Sequence, residues 1–219
     1  MANAEGHWAL TAVAAVALAS AAFYAVHAAY DWSDERIAAN ERARVVARLN
    51  SVLEPALRGR DLTTTLLAIT DSELLGSAEP VDVFVLTDRG APMATVFATV
   101  APHGYNASID LLIGVAPIGT VTGVRVVRHR ETQGLGDAID ITKSDWMLQF
   151  DGKALTSPPA ELWAIGQDEG EFDAISGATV TSRAVVAAVK NTLLYFERHS
   201  DELYARAGEA AAAGRTNQP

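Results

Sequence analysis

The sequence predicts an α+β protein, in which one N-terminal transmembrane helix precedes a soluble domain with a mainly antiparallel sheet flanked by helices. Three observations support this fold class. A stretch free of charged residues extends from Trp8 to Ala29, runs rich in β-branched and aromatic residues lie between residues 81 and 127, and an amphipathic pattern begins at Thr179. The chain has 219 residues, of which 49% are hydrophobic, so it can bury the core of one domain and still contain additional segments.

The composition excludes several classes of function. The formal net charge is -10 and the basic residues are scattered, so no basic run could neutralise several phosphates of a nucleic acid. The sequence contains no cysteine, which excludes disulfides, thiolate-bound iron–sulfur clusters, cysteine-based zinc sites and a flavin linked through sulfur. No hydrolytic triad, paired-carboxylate motif or histidine pair with metal-ligand spacing is recognisable. We therefore expect no catalytic residue, no metal site and no nucleic acid partner.

Residues 1–32 are predicted to anchor the chain in a membrane. About 20 apolar residues suffice for a helix to cross a bilayer, and the uncharged stretch is long enough. Aromatic residues near both ends match the belts found at membrane interfaces: Trp8, Tyr24, Tyr30 and Trp32. A cleaved secretory signal is the second interpretation, although Met1 to His7 lacks a positive charge and the apolar stretch is long for a signal. A buried helix of a soluble protein ranks third.

The charges that follow the predicted span bear on its orientation. Basic residues follow the span and none precedes it: Arg36, Arg42, Arg44 and Arg48. By the positive-inside rule this pattern favours a cytoplasmic domain, and the acidic residues interleaved with the arginines contribute little to that rule. Charge alone therefore favours the cytoplasmic side.

Residues 33–78 are predicted to form a juxtamembrane stalk with a helical segment. Apolar residues recur on one face of a helix that begins near Ser33, a suitable N-cap: Ile37, Val45, Leu49 and Val52. Pro55 and Gly59 are expected to end this helix.

Residues 79–207 are predicted to form the main domain. Its expected strands are Val81 to Thr87, Met93 to Ala101, Ile109 to Val115 and Val121 to Val127. Turns at 88–90 and 117–119 join these strands in pairs, which predicts an antiparallel sheet of about four or more strands.

The rest of this domain is predicted to consist of loops and one long helix. Residues 130–170 mix glycine, proline and aromatic residues, with one short helix near 144–150. The long helix extends from about Thr179 to Ala207, and its apolar face is expected to pack on the sheet through Val186, Val189, Leu193 and Phe196. The tail, 208–219, is small and polar enough to be disordered.

The segment 173–182, with the sequence DAISGATVTS, is a glycine- and hydroxyl-rich turn that leads into the last helix. Such a segment can form an anion cradle, because Gly177 lets the backbone approach a ligand and the first N–H groups of a helix point outward at its positive end. A phosphate would bind well there. The alternative is that Ser176, Thr179 and Thr181 only cap the helix, and the spacing alone favours this alternative.

The pattern Asp173-x-x-Ser176-Gly177-Ala178-Thr179 resembles the recognition site of the flavin transferase that links flavin mononucleotide (FMN) through a phosphoester to the final threonine. Three further stretches occur in the order found in the G subunit of the bacterial Rnf electron-transport complex: 104–106 with 111–114, 123–126 with 131–136, and 143–150. The chain thus resembles this FMN-binding family, which is related to the C subunit of the sodium-translocating NADH:quinone reductase. The resemblance extends from the anchor through the last helix.

The resemblance implies that Thr179 is the covalent attachment point of FMN. It also implies that Ser176, Gly177 and Ala178 form the turn around the phosphate, and that Asp173 serves the transferase. The other candidate cofactor-binding residues are Thr181, Glu131, Thr132, Gly134, Leu135, Gly136, Trp146 and Lys143.

Two of these positions allow two roles each, and one neighbouring position departs from the family pattern. Trp146 could stack on the flavin or belong to the core, and Lys143 could favour the anionic reduced flavin or simply be solvated. Gln133 stands where the family usually has proline.

The resemblance further implies that the protein relays electrons through FMN in a complex that links NADH and ferredoxin and moves Na⁺ or H⁺. The implied partners are the other Rnf subunits, especially the flavin-carrying D subunit in the membrane, together with the flavin transferase and the lipid bilayer. The family has its flavin domain on the periplasmic side of the bacterial inner membrane, and we follow the resemblance over the arginine pattern. The alternatives are an enzyme module that feeds a reductase, and a membrane-anchored assembly or binding module with no redox role.

Overall fold

The computed structural model describes residues 20, 23, 24, 45–60 and 62–216. The chain divides into two compact units, Met1–Ala47 and Arg48–Pro219. Ser20, Phe23 and Tyr24 are helical, whereas the rest of the predicted anchor, 1–32, lies outside the described residues. Among the described residues, no helix is both long and apolar enough to cross a membrane.

The second unit is built on a five-stranded antiparallel sheet, in which each strand pairs with the next one in the sequence. The strands are β1 (Thr63–Asp71), β2 (Ser77–Asp88), β3 (Ala91–Ala101), β4 (Ile109–Val115) and β5 (Val121–Arg128). The predicted α+β class with a mainly antiparallel sheet is confirmed for the described residues. Strands β2 to β5 lie where the four β-branched runs predict them.

Strand β1 corrects the predicted boundary between stalk and domain. The sheet begins at Thr63, within the segment 33–78 that the sequence assigns to the stalk. The physical reason is that β1 is an edge strand and buries only Leu67 and Ile69, so its hydrophobic alternation is short.

The two faces of the sheet belong to two different hydrophobic clusters. In β3, the neighbouring residues Val96 and Phe97 point to opposite faces, as the two-residue period of a strand requires. Phe97 packs in the larger cluster with the C-terminal helix, where its ring centroid lies 6.3 Å from that of Phe196. Val96 packs in the smaller cluster, whose other buried members are Leu49, Val52, Leu53, Leu57, Leu86, Ala94 and Leu112.

Residues 45–52 are helical, and Val52 at the end of this segment lies in very close contact with the sheet. The Thr122 hydroxyl donates a hydrogen bond to the Val52 carbonyl at 2.5 Å. A Cβ atom on Gly123 would lie 2.9 Å from Val52 Cα, and one on Gly114 would lie 2.3 Å from the Val52 carbonyl oxygen. Two glycines on adjacent strands are therefore what allows this approach.

The C-terminal helix comprises Thr179–Thr216. The four residues predicted to pack on the sheet are all buried: Val186, Val189, Leu193 and Phe196. The predicted disordered tail, 208–219, is instead helical as far as Thr216, and its last three residues lie outside the described part. Alanine, the strongest helix former, dominates this stretch and explains the difference.

Between β5 and this helix, the chain forms loops with short 3-10 turns, as predicted for this segment. The turn Trp146–Phe150 coincides with the predicted short helix. An aromatic cluster fixes the loops on the core, because the Phe172 ring lies 5.1 Å from that of Phe150 and 4.7 Å from that of Trp163. These ring contacts hold the loops on the core, next to the start of the C-terminal helix.

Candidate cofactor site

Three segments that are distant in sequence meet around one pocket. They are the turn 104–106 between β3 and β4, the loop 131–136 after β5, and residues 177–181 at the start of the C-terminal helix. The pocket has a volume of about 360 Å³, which is in the range of small-molecule sites. Its lining residues are Tyr105, Glu131, Thr132, Leu135, Gly136, Gly177, Ala178, Thr179, Val180 and Thr181.

The backbone at the start of the helix presents free donors. Gly177 has φ +76°, a left-handed conformation that turns the chain sharply into the helix. The N–H groups of Thr179, Val180 and Thr181 find no acceptor among the described residues, as expected for the first turn of a helix. These N–H groups and the positive end of the helix dipole favour an anion at this place.

Some hydroxyl groups of this segment form hydrogen bonds within the protein, and others do not. Ser182 Oγ accepts a hydrogen bond from the Ile175 N–H at 2.9 Å and donates one to the Ala178 carbonyl at 3.1 Å. The Thr181 hydroxyl donates to Glu131. By contrast, the hydroxyls of Ser176 and Thr179 make no hydrogen bond with the described residues.

This distribution bears on the helix-cap alternative. An N-cap hydroxyl has to accept a hydrogen bond from an N–H two or three residues further on, and neither Ser176 nor Thr179 does so. Thr179 is half-buried in the pocket wall, whereas Ser176 is exposed. Thr179 thus presents an unpaired hydroxyl next to the free N–H groups.

Glu131 lines the pocket and joins the loop 131–136 to the other two segments. Its side chain is only 6% exposed, and its carboxylate accepts hydrogen bonds from the N–H groups of Tyr105 at 3.2 Å and Asn106 at 3.1 Å. The hydroxyl of Thr181 is its third donor. Hydrogen bonds to a charged group are among the stronger ones, so these contacts fix the three segments relative to one another.

The loop after Glu131 is a compact turn. The N–H of Leu135 donates to the Thr132 carbonyl at 3.2 Å, and the N–H of Gly134, a residue with φ +76°, donates to Asp137 Oδ1 at 2.7 Å. The Leu135 side chain is 45% exposed and reaches towards Gly177, where an added Cβ would lie 3.0 Å from its Cδ2. Thr132, Leu135 and Gly136 line the pocket, and Gly134 forms the turn without lining it.

Trp146 and Lys143 do not line the pocket. The Trp146 indole donates a hydrogen bond to the Asp173 carbonyl at 2.9 Å and packs edge-on against Phe150. Lys143 is exposed. Of the two roles that the sequence leaves open for each, the structure favours core packing for Trp146 and solvation for Lys143.

Residues Trp146 and Gln149 hold the segment that precedes the helix. Gln149 Oε1 accepts the Asp173 N–H at 2.8 Å, and the Asp173 carbonyl accepts the Trp146 indole N–H. The Asp173 side chain itself is exposed and can be reached by another protein. Trp146 therefore holds the segment that precedes the helix from outside the pocket.

Two lining residues are absent from the sequence-based candidates, Tyr105 and Val180. Both are large and exposed, Tyr105 by 67% and Val180 by 44%. An aromatic residue in a polar turn and an apolar residue on the solvent side of the first helical turn are the signals that could have identified them.

An ion pair lies one helical turn after Thr179. Arg183 Nη2 donates to Asp168 Oδ1 at 2.7 Å, and Arg183 Nε donates to Oδ2 of the same carboxylate. The hydrogen bond from Arg183 lowers the pKa of Asp168. The Arg183 guanidinium is thus already neutralised by a carboxylate of the protein.

No group of three or more potential metal ligands occurs in the part of the chain that the structure describes. His129 accepts the Glu131 N–H at its Nδ1 atom, at 3.2 Å, and does not line the pocket. His199 stacks on Tyr195, with ring centroids 4.5 Å apart.

Comparison with known proteins places this pocket in a family context. Residues 104–194, which include every residue of the pocket lining, match the FMN-binding domain family. The G subunit of the ion-translocating oxidoreductase complex of Pseudoalteromonas atlantica is 37% identical over 180 residues, covering 82% of this chain and 84% of that protein. This chain belongs to the family of G subunits of ion-translocating oxidoreductase complexes.

Other members of this G-subunit family are similarly close. The G subunit of Vibrio cholerae is 38% identical over 175 residues, covering 80% of this chain and 83% of that protein. The G subunit of Shewanella baltica is 36% identical over 170 residues, covering 78% of this chain and 80% of that protein.

The pocket of this G-subunit family member has the features that a phosphate-bearing cofactor such as FMN requires. The unpaired Thr179 hydroxyl and the free N–H groups of the first helical turn supply donors for the phosphate. Gly177 keeps the approach open, because any Cβ there would contact Leu135. The exposed apolar side chains of Tyr105, Leu135 and Val180 offer contact surface for an aromatic ring system.

Proposed function

We propose that this protein holds FMN covalently, through a phosphoester between the phosphate of the cofactor and Oγ1 of Thr179. The observation that supports this most directly is the unpaired, half-buried hydroxyl of Thr179 in the wall of the pocket. The neighbouring Thr181 and Ser182 hydroxyls are engaged in internal hydrogen bonds, so Thr179 is the free nucleophile of the helix start that faces the pocket.

The electrostatics of the helix start suit this linkage. A phosphodiester carries one negative charge, and the helix N-terminus carries roughly half an elementary positive charge. The N–H groups of Thr179, Val180 and Thr181 can donate to the phosphate oxygens without breaking any existing hydrogen bond. Ser176, Gly177 and Ala178 form the turn that leads the chain past the phosphate.

When bound, FMN would supply one- and two-electron redox chemistry, and the protein's role would be to hold, orient and partly enclose it. A phosphoester leaves the flavin ring unmodified, so the reduction potential depends on burial, hydrogen bonds and nearby charges. The exposed rim formed by Tyr105, Leu135 and Val180 leaves the pocket accessible to a redox partner. We assign no catalytic residue to this chain, whose proposed role is to carry electrons.

In this proposal the protein is the electron-carrying G subunit of an Rnf-type complex that links NADH and ferredoxin to the movement of Na⁺ or H⁺. Its partners are the other subunits, especially the flavin-carrying D subunit in the membrane. Residues 1–32 anchor it in the bacterial inner membrane with the flavin domain on the periplasmic side. A flavin transferase attaches the cofactor and recognises the exposed segment that contains Asp173.

The test uses Thr179→Val, which has nearly the same shape but no hydroxyl, and the matched control Thr156→Val at an exposed threonine outside this segment. Each full-length protein is produced with the flavin transferase, denatured and examined by in-gel fluorescence, followed by mass spectrometry of the peptide that contains residue 179. We expect flavin fluorescence and an FMN-sized mass increase in the wild type and in Thr156→Val, and neither in Thr179→Val. Fluorescence in Thr179→Val would contradict the attachment site. A dark wild type would favour the assembly module without a redox role.

A further inference from the structure

Glu131 is the one charged side chain in the lining of the pocket, as far as the described residues show. All three of its hydrogen bonds are accepted from protein donors, two backbone N–H groups and the Thr181 hydroxyl. This pattern fits an ionised carboxylate, which can only accept. Three of the roughly four acceptor sites of this carboxylate are therefore occupied by protein donors.

The position of this carboxylate is fixed by the backbone around it. A Cβ atom on Gly104 would lie 3.0 Å from Glu131 Oε1, and one on Gly136 would lie 2.9 Å from Glu131 Cβ. Two glycines thus make room for the side chain, and three donors hold its end. Glu131 keeps this position through its protein contacts alone.

No basic side chain among the described residues forms an ion pair with Glu131. Arg183 is paired with Asp168, and Lys143 is exposed and away from the lining. The pocket thus contains a buried negative charge whose only compensation is hydrogen bonding.

We infer that Glu131 is a fixed negative charge that lowers the reduction potential of a flavin held on Thr179. This inference rests on the proposed function and deepens it. Each electron that enters the flavin adds one negative charge unless a proton follows it, and a nearby carboxylate in a region of low dielectric disfavours that addition. In this inference Glu131 acts through its charge, with its carboxylate held by protein donors, so it is a tuning residue and not a catalytic one.

The experiment compares reduction potentials of the full-length protein that carries covalent flavin, by spectroelectrochemical titration. Glu131→Gln removes the charge and keeps the shape, and we expect its flavin potential to shift in the positive direction. Thr181→Val keeps the charge and removes one hydrogen bond to it, so we expect no positive shift. This second variant separates the charge of Glu131 from its role in holding the helix start.

Two results would overturn the inference. One is an unchanged or more negative potential in Glu131→Gln, and the other is an equal positive shift in Thr181→Val, which would trace the effect to the lost contact. If the wild type has no flavin on Thr179, the proposed function itself fails, and the two failures are thereby distinguished.

A second pair of variants decides the matter if Glu131→Gln does not fold or take up flavin. Thr132 lines the pocket and is exposed, so Thr132→Glu adds a second carboxylate there and Thr132→Gln is its uncharged control. We expect a lower potential in Thr132→Glu than in Thr132→Gln. Equal potentials would mean that a charge in this lining does not affect the reduction potential of the flavin, and the inference would be wrong.

Discussion

The hydroxyl of Thr181 donates a hydrogen bond to the carboxylate of Glu131, and this contact joins two residues that are 50 positions apart in the chain. Both side chains are buried. The same carboxylate accepts the N–H groups of Tyr105 and Asn106, so one side chain links the three segments that form the pocket. The stability of the pocket therefore depends on a polar contact as well as on apolar packing.

Replacing Thr181 by valine should lower the free energy of unfolding by about 1–3 kcal/mol, because a buried carboxylate loses one of its three donors. Urea unfolding of the flavin-free, detergent-solubilised protein measures the change. Thr179→Val is the matched control, since its hydroxyl makes no hydrogen bond with the described residues, and we expect a change below about 0.5 kcal/mol. Equal losses in the two variants would contradict the role given to the Thr181 contact.

Replacing Gly177 by alanine should reduce both stability and covalent flavin content. Gly177 and Gly134 both have φ +76°, a conformation that costs a residue with a Cβ about 1–2 kcal/mol. At Gly177 the added Cβ would also lie 3.0 Å from Leu135 Cδ2, whereas at Gly134 nothing lies within 4 Å.

The variant Gly134→Ala therefore serves as the control, because it has the same backbone strain without the side-chain contact. We expect thermal unfolding to show a larger loss for Gly177→Ala, and in-gel fluorescence to show less flavin for it than for Gly134→Ala. If the two variants behave alike, the contact with Leu135 is irrelevant.

Replacing Gly123 by alanine should destabilise the domain by about 1–3 kcal/mol through overpacking. The new Cβ would lie 2.9 Å from Val52 Cα, which is backbone and cannot move independently. Gly166→Ala is the control, since nothing lies within 4 Å of an added Cβ there. Chemical unfolding of both proteins checks this prediction. It fails if Gly123→Ala loses no more unfolding free energy than Gly166→Ala.

The stability of the protein should depend on Asp140 in a defined range of pH. The N–H and then the hydroxyl of Thr142, which donate to Asp140 Oδ1 at 2.8 and 2.9 Å, lower the pKa of this carboxyl below its ordinary value of 3.8. The ionised carboxylate therefore contributes stability above pH 3.8, and this contribution is lost as the pH falls through the lower pKa of the folded protein.

Unfolding measured from pH 7 down to pH 2 provides the check. We expect Asp140→Asn to be less stable than the wild type at pH 7, with the difference shrinking as the pH falls below 3.8. Thr142→Val removes only the hydroxyl donor and should produce part of the same effect. A difference that grows towards low pH would show that the sign is wrong.

The strands and helices of the domain were largely predictable because their patterns are local. The alternation in β2 to β5 and the spacing of Val186, Val189 and Leu193 are each contained within one element. Strand β1 escaped prediction because an edge strand that buries only Leu67 and Ile69 leaves a weak pattern. The helical tail escaped it because alanine and glycine give little amphipathic signal, even though alanine favours helix.

The site was less predictable than the fold, because it depends on contacts between distant segments. The motif around Thr179 could be found by resemblance, but the burial of Glu131 and its hydrogen bond to Thr181 have no local sequence pattern. Neither Trp146 nor Lys143 lines the pocket. Trp146 instead contacts Asp173 and Phe150, and Lys143 is exposed. The role of Tyr105 in the pocket could not be predicted, because its turn reaches the pocket only through the pairing of β3 with β4.

The neighbour-to-neighbour pairing of β1 to β5 has a consequence for the order of biogenesis. Every strand pairs with the next one along the chain, and such local pairings favour rapid formation of the sheet. The sheet can therefore form early, and the pocket is complete once the C-terminal helix has packed on the sheet and Thr181 has reached Glu131. Under the proposed function, the flavin transferase would then act on a folded domain, and attachment of FMN to Thr179 would be the last step in the maturation of the protein.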